Sequence, residues 1–250
     1  MKRILRFYFL VLCVSGLLSP LFAQEQLPQE IPDIPEPMVF DLVRELGARQ
    51  GELEVNVLAE FPLSSNSSHF VEWAPEIEYA IWDDFAVEFE LPIEDTTVEA
   101  FKLAFQYTFG YSKSGGFIHG TQFMIEKIRN KAKWDFSLLY IPAYKFNEIW
   151  SVLALVGLRQ QVGSESQDKT TTLLLNATVF AKISERITLG MEFNNSDPGN
   201  FDEEEEPEWL VMPQVHIEFS DHWSVQTGVG CEFTGSQVNA TGAIRMIAEF

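Results

Sequence analysis

Residues 75–91 read PEIEYAIWDDFAVEFEL, and this stretch decides the fold. On each side of the Asp83-Asp84 pair, apolar residues alternate one by one with glutamate or alanine. Alternate side chains of a strand point to opposite faces, so this spacing predicts two strands, each with one apolar and one mainly acidic face. The short connection between them predicts an antiparallel hairpin.

The same alternation recurs almost without interruption from Gly51 to the C-terminus. It predicts twelve strands, over 51–61, 70–81, 85–93, 98–109, 117–127, 133–144, 149–161, 170–183, 187–195, 209–219, 223–233 and 239–250. The number is even, and each segment is close to the ~9–11 residues with which a tilted strand crosses a bilayer. We therefore expect an all-β fold, a closed antiparallel up-and-down transmembrane β-barrel of about 12 strands over residues 51–250. His119 and Thr121 fall on the apolar face of their strand, so this is the region in which we expect errors in the predicted register.

The predicted connections alternate between short and long. Short ones lie at 82–84, 145–148, 184–186 and 220–222, and longer polar ones include 62–69, 161–169 and 196–208. The connection at 110–116 is longer than its position in this alternation predicts. Because outer-membrane barrels have tight periplasmic turns and longer external loops, the short turns and the N-terminus are predicted to share the periplasmic side.

The first 50 residues do not show the strand pattern. A basic start, an apolar run over 7–18 and a small residue at Ala23 predict a secretory signal peptide over 1–23. Residues 24–50 are predicted to form a Pro-rich periplasmic linker that ends in a short N-terminal helix over 38–50, whose apolar residues fall at helical spacing. This helix is expected to dock as an N-terminal turn or to plug or cap the barrel.

The six tryptophans fall at the two ends of the predicted strands. Three lie beside the short turns and three at the opposite ends, namely Trp82, Trp150 and Trp223, and Trp73, Trp134 and Trp209. Amphipathic rings in two such rows are typical of the girdles at the two membrane interfaces. The alternative is that large aromatic residues cap both ends of a soluble barrel.

The chain ends with IRMIAEF over 244–250, an alternating strand whose last residue is Phe250. This end resembles the recognition strand of bacterial outer-membrane barrels, which implies that Phe250 is an assembly signal read by the barrel-assembly machinery. Residues 75–95, PEIEYAIWDDFAVEFELPIED, resemble the family of outer-membrane transporters labelled MetA-pathway of phenol degradation. The two resemblances imply a porin-like protein in the outer membrane of a Gram-negative cell, in contact with outer-membrane lipid.

If the apolar faces meet lipid, the opposite faces enclose a lumen. The residues predicted to set its selectivity are Glu54, Glu76, Glu78, Glu88, Glu90, Lys102, His216 and Arg245. Carboxylates on adjacent walls each need water, a cation, a hydrogen-bond donor or a proton. Two interpretations stay open: an acidic, hydrated wall that favours cations, or a salt-bridge network that stiffens a narrow barrel and leaves no continuous pore.

The opposite wall of the lumen is predicted to be apolar. Its inward positions are Leu139, Ile141, Leu153, Leu155, Leu174 and Phe180. Such residues either pack against a filling of the barrel or line a path for apolar molecules, and packing is the favoured interpretation.

Charge and composition exclude several classes of function. The chain has 17 Lys+Arg against 37 Asp+Glu, so a basic nucleic-acid face is not expected. Cys13 lies in the signal peptide and Cys231 is alone, which excludes a disulfide framework and a cysteine zinc site. The acids of 202–206 read as a solvated charge run, and no metal or cofactor is expected.

The sequence favours a passive channel or transporter for a small solute over an enzyme. His216 lies near Glu218 on the inward face of one strand, but no nucleophile motif accompanies them, so no catalytic residue is assigned. The alternatives are a structural or anchor barrel without a pore, a soluble exported ligand-binding barrel with its apolar faces inside, and a hydrolase at the barrel rim.

Overall fold

A computed structural model describes residues 31–40, 42–64, 70–112, 115–163, 171–195, 208–234 and 236–250. The predicted signal peptide, the start of the predicted linker and the acidic run 202–206 lie outside the described residues.

Twelve long strands and one small two-stranded hairpin make up the fold. The strands are β1 Leu53–Pro62, β2 Glu72–Trp82, β3 Phe85–Glu90, β4 Ile93–Glu94, β5 Thr97–Val98, β6 Ala100–Tyr111, β7 Phe117–Ile128, β8 Lys133–Lys145, β9 Trp150–Gly163, β10 Thr171–Ser184, β11 Ile187–Asn194, β12 Glu208–Ser220, β13 Trp223–Thr234 and β14 Gln237–Glu249. Each long strand coincides with one predicted segment to within a few residues. The two-residue strands β4 and β5 were not predicted, because segments this short show no alternation.

The sheet closes on itself. Consecutive long strands pair antiparallel around the barrel, and β1 pairs with both β2 and β14. At the seam Leu58 lies opposite Arg245 on β14 and opposite Ala74 on β2. The predicted closed antiparallel barrel of 12 strands is therefore confirmed, and closure leaves no long strand with an unpaired edge.

The apolar faces point outward and the acidic faces inward. Ile77 and Phe89 are 47% and 43% exposed, whereas the neighbouring Glu78 and Glu88 are 0% and 1% exposed. A continuous apolar exterior is suited to hydrocarbon and unsuited to water. The alternative of a soluble barrel with apolar residues inside is therefore wrong.

The six tryptophans are exposed on this exterior, at strand ends as predicted. Phe250 follows β14 directly, and its backbone exchanges two hydrogen bonds with Leu53 at the seam. The girdle and the assembly signal remain predictions.

The faces predicted for β7 near His119 are correct, because Ile118 and Gln122 are buried while His119 and Thr121 lie on the opposite face. The pairing of β6 with β7 shifts between Thr108 and Gly110, opposite His119. The His119 ring stacks on Phe117, and its Nδ1 lies 3.2 Å from the Tyr140 hydroxyl, so aromatic neighbours accommodate this polar side chain on the apolar face.

The N-terminal helix is not found over the described part of 38–50. Residues 42–50 form bends and turns, and Gly47 has a positive φ of 91°. The backbone donors that a helix would use internally bind barrel side chains instead: Val43 N–H donates to Gln106, and Gly47 N–H donates to Thr108. Within the described residues, no helix has the length and apolar character that crossing a membrane requires.

Candidate functional site

Residues 31–50 are here called the plug segment, and most of its described residues, 31–40 and 42–50, lie inside the barrel. We expected a solvated linker before residue 38 and a segment that docks on or plugs the barrel from 38 to 50. Residues 31–250 form one compact unit, and most of the plug segment is buried, including part of the expected linker. Both ends of the segment lie at the short-turn end of the barrel. Asp33 is 3.7 Å from Lys182 Nζ, and Gln50 N–H donates to Asp83 in the β2–β3 turn at 2.9 Å. The segment therefore forms a re-entrant loop.

The top of this loop is held by one carboxylate on β11. Glu192 accepts hydrogen bonds from the backbone N–H groups of Met38, Val39 and Phe40 at 3.1, 3.2 and 3.0 Å. Asn176 Nδ2 donates to the same carboxylate at 2.7 Å. Hydrogen bonds to an ionised acceptor are among the strong ones, so Glu192 is the main polar anchor of the loop.

Glu192 is not among the predicted lumen residues, although its inward position follows from the alternation of β11. Outward Met191 and Phe193 flank it. The alternation does not indicate that Glu192 binds the backbone of residues 38–40, because the plug segment has no strand period.

The predicted acidic wall is organised around two arginines. Arg245, which is fully buried, lies 3.0 Å from Glu76 and 3.5 Å from Glu78, and its Nε donates to Asn56. Arg44 of the plug segment pairs with Glu54. Buried charges are tolerated when they are paired and hydrogen-bonded, so the plug segment supplies a cation that this wall requires.

A third cation completes the network on the next strands. Lys102 Nζ lies 3.3 Å from Glu88 and also pairs with Glu90. Seven of the eight predicted lumen residues thus belong to one wall. His216 lies apart from them, with its ring edge-on to Phe180 at 5.8 Å. This is the geometry of the salt-bridge interpretation, and selectivity for cations stays a prediction.

The Glu36 carboxylate of the plug segment is buried near both cations and another carboxylate. Glu36 lies 3.7 Å from Arg245. Burial, reinforced by the nearby Glu54 carboxylate, raises the pKa of Glu36 well above its usual range, and Arg245 and Arg44 only partly oppose this. The docked plug segment therefore favours a protonated Glu36.

The apolar wall packs against the plug segment. The predicted residues Leu139, Ile141, Leu153, Leu155, Leu174 and Phe180 are fully buried in one cluster with Ile34, Phe40, Leu42, Val43 and Leu46. Close approach is possible because β7 carries a glycine here. A Cβ on Gly120 would lie 2.8 Å from Leu46 Cδ2 and 2.7 Å from the Tyr107 carbonyl oxygen. The packing interpretation of this wall is confirmed.

Two cavities lie on either side of the plug segment. One, of about 90 Å³, is at the long-loop end and is lined by Val39 and Phe40 of the segment. The other, of about 260 Å³, is at the short-turn end and is lined by Asp33 and Glu36. The lumen is therefore an entrance at each end with the plug segment between them.

Comparisons with solved structures agree on the fold. The KdgM porin has 11% identity, covers 77% of this chain and 97% of its own, and gives a TM-score of 0.55. The KdgM porin in complex with disordered oligogalacturonate has 11% identity, coverage of 78% and 97%, and a TM-score of 0.53. The COG4313 outer membrane channel from Pseudomonas putida F1 has 13% identity, coverage of 82% and 98%, and a TM-score of 0.55. At such identities the likeness shows a shared barrel fold and no more.

No curated protein matches the sequence. The resemblance to the MetA-pathway family is not confirmed, because the family that matches is described as HAEPLYID-like. Its match spans residues 33–249, which includes nearly all of the plug segment and the barrel. The chain belongs to the HAEPLYID-like family.

Proposed function

We propose that the protein is a passive outer-membrane channel for a small solute, closed in this state by the plug segment. The observation that carries the proposal is the Glu192 anchor: the loop is held at its top by a set of hydrogen bonds that can be released together. The barrel fold shared with the KdgM porin and the COG4313 channel supports transport rather than catalysis. The resemblance of residues 75–95 to the MetA-pathway transporters is in keeping with this.

The placement in the cell is part of the same proposal. We place the short turns and residue 31 on the periplasmic side, with Phe250 at the end of β14 as the signal for the assembly machinery. The apolar exterior, including the six tryptophans, would contact outer-membrane lipid.

The acidic wall is proposed to favour cations once the plug segment leaves. Arg44 would then depart with the segment, and Glu54 would lose its closest cation. Arg245 and Lys102 belong to the barrel and remain. An excess of carboxylates over cations raises the local concentration of positive ions.

Conductance in planar bilayers tests this function. We expect the wild-type barrel to be mostly closed and Glu192→Ala to open it, while Glu148→Ala, an equal charge change on an exposed turn, leaves conductance at the wild-type level. The open state should prefer cations, and Glu76→Gln and Glu78→Gln should reduce that preference. A folded Glu192→Ala barrel that passes no current would refute the channel.

That result would favour the second candidate, a structural barrel without a pore. The observation on its side is the apolar packing of the plug segment against the wall that includes Phe180 and Leu155. Heat-modifiable gel mobility separates a closed, folded barrel from a misfolded one.

A further inference from the structure

A row of charged residues crosses the long-loop cavity from strand to strand. In the strand register Glu76 lies opposite Glu90, Glu90 opposite Lys102, Lys102 opposite Glu126, and Glu126 opposite Asp135. All five line the cavity. Side chains of directly opposed residues lie side by side on one face of a sheet.

The two ends of the row differ in how closely a cation approaches the carboxylates. Lys102 is within ion-pair distance of Glu88 and Glu90, on the side of the row towards β3. On the other side two carboxylates, Glu126 and Asp135, are directly opposed. Like charges placed opposite each other destabilise a strand pair unless something of opposite charge lies between them.

The buried oxygens of this pair point to a missing partner. Asp135 is only 5% exposed, and its Oδ1 has no hydrogen-bond donor among the described residues. Glu126 Oε1 is also buried and has no hydrogen-bond donor among the described residues. A buried carboxylate oxygen without a donor is costly, and a cation that donates hydrogen bonds removes the cost. Arg159 lines the same cavity, and Arg159 and Lys102 both attract the Glu126 carboxylate, but neither donates a hydrogen bond to Glu126 Oε1 or Asp135 Oδ1.

The rest of the cavity wall limits what this cation can be. Val39, Phe40, Leu58 and Met124 give it an apolar side. The carboxylate oxygens of Glu76, Glu88 and Glu90 lie within 4.8 Å of one another and could hold a metal ion, but Lys102 is already within ion-pair distance of Glu88 and Glu90. An ammonium group carries three donors and can be attached to an apolar body that covers this wall.

We propose that the long-loop cavity binds an organic cation, a primary amine with an apolar or aromatic body, whose ammonium group lies between Glu126 and Asp135. The inference rests on the proposed function and deepens it, because it names the class of solute that the channel would receive at this entrance. Phe40 connects the proposed amine site with the plug segment, since it lines the cavity and belongs to the segment.

Isothermal titration of the folded protein in detergent with 2-phenylethylamine tests the site. We expect saturable binding, and about 30-fold weaker binding of 2-phenylethanol, which has the same body without the charge. Asp135→Asn should weaken amine binding by about tenfold, and Glu126→Gln should do the same, because each leaves one carboxylate in place. Glu148→Gln, at the opposite end of the barrel, should bind as the wild type does.

Absent amine binding, equal binding of amine and alcohol, or unchanged binding by Asp135→Asn would each overturn the site, as would Ca²⁺ binding in its place. Folding of each variant is checked by heat-modifiable mobility, and replacing a carboxylate that lacks a donor is not expected to impair it. Conductance is measured on the Glu192→Ala barrel, because the wild-type barrel is expected to be mostly closed. Current without amine binding would overturn only this inference, and amine binding without current would overturn only the channel.

Discussion

Replacing Glu192 with alanine should release the plug segment while the barrel stays folded. The substitution removes the acceptor of three successive backbone N–H groups, those of Met38, Val39 and Phe40. A buried donor left without an acceptor costs about 1–3 kcal/mol. Water can enter the space left by the side chain and bind some of these donors, so we take about 3 kcal/mol for the group. This corresponds to a rise of roughly 10²-fold in the ratio of undocked to docked segment.

The undocked fraction can be measured by cysteine labelling. Val43 is fully buried against the barrel wall, so Val43→Cys should react with a maleimide only when the segment undocks. The free Cys231 is replaced by serine in every protein compared. If docking and undocking are fast relative to labelling, the rate follows the undocked fraction. We expect Glu192→Ala to label roughly 10²-fold faster than its parent, and Glu148→Ala to label at the parental rate.

An unchanged labelling rate in a folded Glu192→Ala barrel would refute the reasoning. It would mean that the apolar cluster around Phe180 holds the segment and that Glu192 contributes little. Faster labelling with lost heat-modifiable mobility would instead show that Glu192 stabilises the barrel itself, which is also contrary to the prediction.

Three other perturbations test separate parts of the structure. Arg245→Ala leaves the acidic wall without its central cation and should cost about 3–5 kcal/mol of barrel stability. The readout is a lower temperature for the gel-mobility shift, and an unchanged temperature would argue against the network. Gly120→Ala places a methyl group against Leu46 and should cost about 1–3 kcal/mol, with faster labelling of Val43→Cys as the readout, and an unaltered rate would contradict the close packing. Because the docked state raises the pKa of Glu36, docking should be tighter at pH 5 than at pH 8. The labelling rate of Val43→Cys, corrected for thiol ionisation, should fall as the pH falls, and Glu36→Gln should remove this trend.

The fold could be read from the sequence because the two faces of each strand meet different surroundings. Exposed Ile77 and buried Glu78 are adjacent in the chain, and such pairs recur through every long strand. The small β4–β5 hairpin could not be read in this way. It turns at Asp95, whose φ is +50°, and its strands have only two residues each.

The candidate site was predictable only for the residues that lie on strands. Inward alternation correctly placed Arg245 beside the acidic wall, but Arg44 lies in the plug segment and gave no comparable signal. Leu42 and Val43 are among the apolar residues at helical spacing, and both are buried, yet the conformation is not a helix. The reason is that the backbone donors of the segment find acceptors up to 154 residues away in the chain, which no local pattern records.

The re-entrant path of residues 31–50 has a mechanical consequence. Because both ends of the plug segment lie at the short-turn end, the segment can be withdrawn without threading a free end through the barrel. Tension applied to the chain before residue 31 would release the attachments in chain order. Asp33 would leave Lys182 first, the backbone N–H groups of residues 38–40 would then leave Glu192, and the contacts of Val43, Arg44 and Gly47 would follow. Peeling breaks bonds in sequence rather than all at once, so a modest pull from the short-turn side would be enough to unseat it.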